Sequence, residues 1–313
     1  LFDLAEGIED RLAHDRLHTR VGDITDETRM ARLFETVRPH IVFHAAAYKH
    51  VPMLEEHPDQ AIRVNVFGTY QLCMLARSNH VEQFVFISTD KAAAPINVLG
   101  ASKRLGELIV QALANGEESR TRFCAVRFGN VIGSRGSVVP TFMRQIERGG
   151  PVTVTDPDTT RYFMTIPEAC GLVILTSTLE GNGALYLLDM GEPVRIADVA
   201  TKMIRLRGLR VDKDISVVFT GLRPGEKLHE ALAADEERLE RTANEKIFHL
   251  RSQISSPSLA QMSAWVSQLE RSLATEDLVS QRAALLALTS ERDVHAPMSA
   301  QPTLGPTLGA GAI

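Results

Sequence analysis

Short apolar runs alternate along the first half of the chain with longer stretches in which apolar residues recur every three or four positions. Ile41-Val42-Phe43, Phe84-Val85-Phe86-Ile87, Phe123 to Phe128 and Ala184 to Leu188 have the length and apolar density of strands buried on both faces. Between them, Met30, Leu33, Phe34 and Val37 mark an amphipathic helix with Pro39 beyond its end, and Ala61, Val64, Leu72 and Leu75 mark a second from about Ala61 to Asn79. From Val98 onward, Leu105, Leu108, Ile109 and Ala112 mark a third, which places Lys103 near a helix start. Strands that alternate with helices in this way predict an α/β fold on a doubly wound parallel sheet.

Beyond Phe128 the alternation loosens, and a smaller α/β lobe is expected to interleave with the sheet. Phe142 and Ile146 mark a helix, Val152-Thr153-Val154 and Arg161 to Met164 short strands, Ile196 to Leu206 a helix and Ile215 to Phe219 another strand. Thr165-Ile166-Pro167-Glu168 reads as a capping box, with Glu168 reaching back to Thr165. The expected divisions are a sheet domain over 1–135, a lobe mainly over 136–250, a helical extension over 251–295 and a disordered tail over 296–313. The extension carries Leu259 to Leu273 and Leu278 to Leu288, and the tail Pro297, Pro302, Pro306 and several glycines.

Composition narrows the function classes. The 313 residues are 44% hydrophobic and 23% charged, enough for a sizeable core. A formal net charge of −5 argues against a general nucleic-acid or membrane-surface binder. Cys73, Cys124 and Cys170 form no C-x-x-C pair, so neither a metal site nor a disulfide framework is expected, and a cytoplasmic setting is the simplest. No apolar run approaches the roughly 20 residues that span a bilayer.

The candidate chemistry centres on Ser88-Thr89-Asp90-Lys91, placed by the preceding apolar strand at the carboxyl edge where such sheets keep their ligands, with Lys103 on the next helix facing the same cleft. This arrangement resembles the extended short-chain dehydrogenase/reductases. His44-Ala45-Ala46-Ala47-Tyr48-Lys49-His50-Val51-Pro52, Arg127-Phe128-Gly129-Asn130-Val131, Gly133-Ser134-Arg135-Gly136-Ser137 and Arg223-Pro224-Gly225-Glu226-Lys227 are similar to blocks of the nucleoside-diphosphate-sugar 4,6-dehydratases of capsular polysaccharide biosynthesis, in the same order, from about Gly22 to Leu250. One position departs from the superfamily. Leu99 stands four residues before Lys103 where most members carry tyrosine, and none of Tyr48, Tyr70, Tyr162 or Tyr186 is followed by lysine at that spacing. An apolar residue there marks either a relative that has lost its phenol or the dehydratase branch in which threonine, aspartate and lysine carry the acid-base work. The presence of Thr89, Asp90, Lys91 and Lys103 favours the second.

The resemblance implies a Rossmann-like fold and NAD as cofactor. Asp23, Ile24, Ala45, Ala46, Ala47, Asn65, Ser88 and Lys103 would contact NAD, and Lys49, His50, Asn130, Arg161, Arg223 and Glu226 the substrate. Asp23 reads equally as a turn or capping residue. The acidic residue that separates NAD from NADP is not identifiable around Asp3, so NADP stays open. The only G-x-G runs are Gly181-Asn182-Gly183 and Gly309-Ala310-Gly311, neither at the head of the sheet. The chain therefore reads as lacking the first βαβ unit, with Leu1 to about Leu12 the remnant of a helix and His18 to Gly22 a strand, and is expected to be inactive by itself. Relatives with the apolar substitution carry a membrane-embedded amino-terminal region, which implies an anchor at the inner face of the membrane, and a homo-oligomer is expected. The implied reaction is the 4,6-dehydration of a UDP-linked sugar, UDP-N-acetylglucosamine foremost. A 4-epimerase, a dinucleotide sensor and an assembly scaffold are the rivals.

Overall fold

The computed structural model describes residues 17–116, 120–134 and 136–290. Helix α1 (Glu27–Val37) is capped by Asp26, whose side chain accepts from the Arg29 amide, and leads into β1 (Ile41–His44). A short helix α2 (Val51–Glu56) precedes one continuous helical run, α3, over 58–78, whose segment Ala61–Gly68 is wound as a π-helix. Strand β2 (Gln83–Ile87) then gives way to helix α4 (Val98–Ala114), which Asn97 caps through the Gly100 amide, and to strand β3 (Arg122–Arg127).

The later elements are shorter. They are β4 (Asn130–Val131), α5 (Val138–Glu147), β5 (Val152–Val154), β6 (Thr160–Arg161), β7 (Phe163–Met164), α6 (Ile166–Thr176) and β8 (Ala184–Leu188). After these come β9 (Val194–Arg195), α7 (Ile196–Leu206), β10 (Val217–Phe219), β11 (Glu237–Arg241), β12 (Ile247–Ser252), α8 (Leu259–Leu273) and α9 (Leu278–Ala287).

The main sheet has the order β1-β2-β3-β8-β12-β11. Its first four strands are parallel, and β12 and β11 return antiparallel. The period-two alternation of the strands divides the core. Phe84, Phe86, Phe123, Ala125, Leu185 and Leu187 face a layer of α1, α3, α4, α8 and α9, while Val85, Cys124, Val126, Ala184, Tyr186 and Leu188 face α6. A third core of Phe142, Ile146, Val152, Val154, Ile196, Ala200, Ile204 and Ile215 holds the smaller lobe together. Helix α4 is buried almost throughout because the sheet covers one side and α3, α8 and α9 cover the rest. Its glycines permit this approach. A Cβ on Gly106 would lie 2.4 Å from the Phe86 ring, and one on Gly100 would lie 2.2 Å from the Lys91 carbonyl oxygen.

The mixed α/β architecture with its parallel-rich sheet agrees with the pattern in the sequence, and four local expectations are corrected. Residues 18–22 join no strand ladder among the described residues. The expected strand over 161–164 is broken at Tyr162, because β6 pairs with β9 and β7 with β4. Strand β10 begins at Val217, since Ile215 turns into the lobe core. Thr165 caps α6 by accepting from the Glu168 amide at 3.3 Å, but no reciprocal bond from the Glu168 side chain closes the box. Leu1 to Leu12 and the tail from 296 lie outside the described residues. None of the described helices is long and apolar enough to cross a membrane.

Candidate active site

A cleft of about 360 Å³ opens at the carboxyl ends of β1, β2 and β3. Its walls include Ala45, Ala47, Lys49, His50, Ser88, Thr89, Lys91, Leu99, Lys103 and Asn130, together with Ser134, Gly136 and Ser137. Thus the strand exits and the head of α4 converge as the sequence pattern predicts. Ala46, Asp23, Ile24, Asn65, Asp90, Arg161, Arg223 and Glu226 are not among the lining residues.

The floor of the cleft is a hydrogen-bonded turn. Thr89 caps a single turn of 3₁₀ helix over Asp90–Ala92, accepting from the Lys91 amide. Its hydroxyl donates to Asp90 Oδ1 at 2.8 Å, and Lys91 Nζ donates to the same oxygen at 3.0 Å. Asp90 is fully buried and its second oxygen, Oδ2, has no hydrogen-bond partner. It therefore meets the cleft only through Thr89 and Lys91. Burial pulls the Lys91 ammonium toward neutrality, but Asp90 and Glu230, whose Oε1 lies 3.4 Å from Nζ, outweigh burial and the Arg161 charge, so Lys91 titrates above its ordinary value.

Lys103 is the opposite case. It is 6% exposed, makes no hydrogen bond among the described residues and lies 4.0 Å over the Phe86 ring. Burial outweighs the attraction of Glu107 and brings its pKa down to about 7. Beside it, burial and the Lys103 charge push His44 down to about 3, leaving a neutral imidazole 2.9 Å from the Thr69 hydroxyl. Leu99, 5% exposed, completes this wall with an apolar side chain.

Behind the cleft, Ser88 donates to Glu107 Oε1 at 2.6 Å. Glu107 and Glu237 share the fully buried Arg127, which reaches Glu107 at 2.7 Å through both Nε and Nη2 and Glu237 Oε2 at 2.6 Å through Nη1. Arg104 bonds both carboxylates at 3.1 and 3.3 Å. Burial raises the Glu107 pKa, but the two guanidiniums and Ser88 outweigh it and hold the carboxyl below its usual range.

Several residues expected to touch ligands are bonded within the protein. Asn65 is 1% exposed; its side chain accepts from the Tyr48 amide at 2.8 Å and donates to the Tyr48 carbonyl and to Ser102 Oγ, each at 3.0 Å. It fixes the chain leaving β1 against α4. The Arg161 guanidinium donates to the carbonyls of Thr160, Leu228 and Lys227, which commits it to backbone. Glu226 accepts from the Arg223 amide within a turn, whereas the exposed Arg223 guanidinium makes no bond among the described residues. Asp23 accepts from the Thr25 amide and hydroxyl in an exposed turn, and Ile24 packs against Gly68. The Lys49 ammonium, whose pKa burial lowers, is 3.5 Å from Ser134 Oγ, and the His50 ring lies against Gly136.

Sequence reasoning missed Glu230, Glu107 and His44. The available signal for Glu107 was a carboxylate on an apolar helix matched by an arginine ending an apolar strand. Glu230 gave none beyond its place after the Arg223-to-Lys227 run. No group of three or more His, Cys, Asp or Glu side chains among the described residues is placed to hold a metal ion.

The capsular polysaccharide biosynthesis protein CapD of Staphylococcus aureus is 50% identical over 228 residues, 73% of this chain and 38% of CapD. The chain thus spans little more than a third of that relative. The X-ray structure of Pen from Bacillus thuringiensis superposes with a TM-score of 0.72 at 31% identity, covering 82% of this chain and 78% of Pen. DesIV of Streptomyces venezuelae, a dTDP-glucose 4,6-dehydratase whose structure contains NAD, shares the fold with a TM-score of 0.65 at 20% identity over 74% of each chain. A family model described as "polysaccharide biosynthesis protein" matches residues 1–252, and the chain belongs to that family.

Proposed function

We propose that this protein is a nucleotide-sugar 4,6-dehydratase acting on UDP-N-acetylglucosamine for surface-polysaccharide synthesis. The observation that carries the reading is the Thr89-Asp90-Lys91 set, hydrogen-bonded at 2.8 and 3.0 Å, in a cleft whose usual phenol position is Leu99. An epimerase needs one reversible proton exchange at a hydroxyl; a second acid-base pair is what a dehydration requires.

The residues present fit the nicotinamide end of NAD. Ala45 and Ala47 leave room at the exit of β1, and Lys103, without a hydrogen-bond partner among the described residues, is free to donate to a ribose. When bound, NAD supplies a hydride acceptor at sugar C4 and returns the hydride at C6. The chain's own groups move protons. Thr89 accepts the C4 hydroxyl proton while passing its own to Asp90 along the 2.8 Å bond, and the Lys91 ammonium at the cleft wall gives its proton to solvent. Lys91 removes the proton at C5, which the C4 ketone acidifies, and Asp90 gives its proton through the Thr89 hydroxyl to the departing C6 hydroxyl, which leaves as water. Lys91 then returns a proton to C5. The resting pair is charged; the proton that reaches Asp90 from Thr89 and the one that Lys91 releases to solvent leave both neutral, and Lys91 regains its proton from solvent at the end of the cycle. Closing the cleft over a substrate favours that neutral pair, since desolvation disfavours charge.

The test is to incubate the protein at the full length of relatives such as CapD with NAD and UDP-N-acetylglucosamine in deuterated water and follow the sugar by NMR and mass spectrometry. A 6-deoxy-4-keto product with deuterium at C5 is expected. A C4 epimer, or a sugar that binds unchanged, overturns the proposal.

A further inference from the structure

Glu230 is buried, 7% exposed, on a segment outside regular structure. Its Oε1 lies 3.4 Å from Lys91 Nζ and 3.9 Å from Arg161 Nε, while its Oε2 is buried without a hydrogen-bond partner. Three hydrogen bonds press this segment onto the catalytic loop and two more tie it to Arg161 of β6. Lys227 donates to the carbonyls of Ala93 and Ala94, Asn97 to Gly225, and Arg161 to Lys227 and Leu228. The carboxylate is therefore delivered to Lys91 by a built brace. A purely structural acid in this place would be fully hydrogen-bonded, as Glu107 is, because an unpartnered buried carboxylate oxygen is costly.

We propose that Glu230 is a positioning residue of this site, a second carboxylate held on the Lys91 amine that fixes both its direction at the cleft wall and its protonation state. This rests on the reading of Lys91 as the group that exchanges the C5 proton. The charged groups facing Lys91 are Asp90, Glu230 and Arg161, with Lys227 within electrostatic range. Asp90 and Glu230 favour the ammonium; Arg161 and burial oppose it. With one carboxylate removed, the amine becomes neutral at lower pH and is free to turn.

The experiment is an NMR titration of the whole chain with ¹³C,¹⁵N-labelled lysine, in which the Lys91 signal is assigned by its loss in Lys91→Met. In Glu230→Gln the Lys91 midpoint is expected to fall by about one pH unit or more. In Glu230→Asp, which keeps the charge but shortens its reach, it should fall by less. Glu226→Gln removes an equal charge from the same loop and should leave the midpoint in place. An unchanged Lys91 midpoint in folded Glu230→Gln, an equal fall in Glu226→Gln, or loss of the fold in both Glu230 variants overturns the proposal. The titration needs neither NAD nor sugar, so a full-length wild type that forms no 4-keto product removes the dehydratase reading and leaves this measurement standing. Where the wild type does turn over, the acidic limb of its pH–rate profile should move down with the Lys91 midpoint in Glu230→Gln.

Discussion

Two clusters of charge meet at adjacent residues of one loop, Ser88 bonding into the first and Thr89 into the second. Each contains two cations and two carboxylates. Arg104, Arg127, Glu107 and Glu237 form the cluster behind the cleft, and Lys91, Arg161, Asp90 and Glu230 the one beneath it. In the first, both carboxylates accept from planar guanidiniums and every oxygen is used. In the second, Asp90 Oδ2 and Glu230 Oε2 have no donor, and the shared cation is a flexible lysine at the edge of the cleft. Equal charge thus serves two purposes. Full satisfaction makes a rigid support; an incomplete network leaves protons and directions that a ligand can change.

The largest expected effect separates the clusters by stability. Arg127→Met strands two buried carboxylates and should destabilise the fold by about 3–5 kcal/mol in chemical denaturation, a large share of a typical domain's stability. A loss below about 1 kcal/mol would mean that the support is not what the geometry suggests. Asp90→Asn should do the reverse, leaving the denaturation midpoint near that of wild type while lowering formation of the 4-keto product by roughly 10²–10⁴-fold. If it unfolds the protein instead, the distinction between the clusters fails.

Lys103 sharpens the comparison through pH. Its folded pKa of about 7 lies below the ordinary lysine value, so the fold carries the cost of a buried ammonium in full below pH 7 and sheds it as pH rises toward 10.5. Lys103→Met should therefore stabilise the protein by an amount on the order of 1–3 kcal/mol at pH 6, with the gain fading toward pH 10, as read by thermal unfolding across that range. A gain independent of pH would point to packing alone. The smallest effect is expected at the exposed Arg210–Asp214 pair, where Asp214→Asn should leave the unfolding midpoint within experimental error despite a 2.7 Å contact.

The parallel part of the sheet was legible because Phe84-Val85-Phe86-Ile87 and Phe123 to Phe128 are apolar on both faces and the helices between them keep clean spacing, whereas the antiparallel β12 and β11 that complete the sheet were not expected. The cleft was legible through Ser88, Thr89, Lys91 and Lys103, which follow from one strand exit and the helix after it. What the sequence hid was partnership. Arg161 and Glu226 have the right chemistry for a phosphate or a sugar hydroxyl, yet their bonds go to backbone groups of the brace. Glu230 meets Lys91, and Glu237 meets Arg127, across more than a hundred residues of chain, and no local pattern reports which charge a distant loop will bring. Asp23, balanced between a ligand and a turn, closes a turn with Thr25.

The π-helical winding of Ala61–Gly68 carries a consequence for how this family can change length. Such a turn accommodates one residue more than an α-helix of the same rise, and Asn65, which clamps Tyr48 to Ser102, sits inside it. Deleting one residue there would let the run relax into ordinary α-helix with its ladder intact, and would swing Asn65 about 100° around the axis relative to one flank. The backbone would tolerate the shorter spelling, but the active-site wall would not. Alignments of functional relatives should therefore be gap-free across these eight positions even where the residues differ.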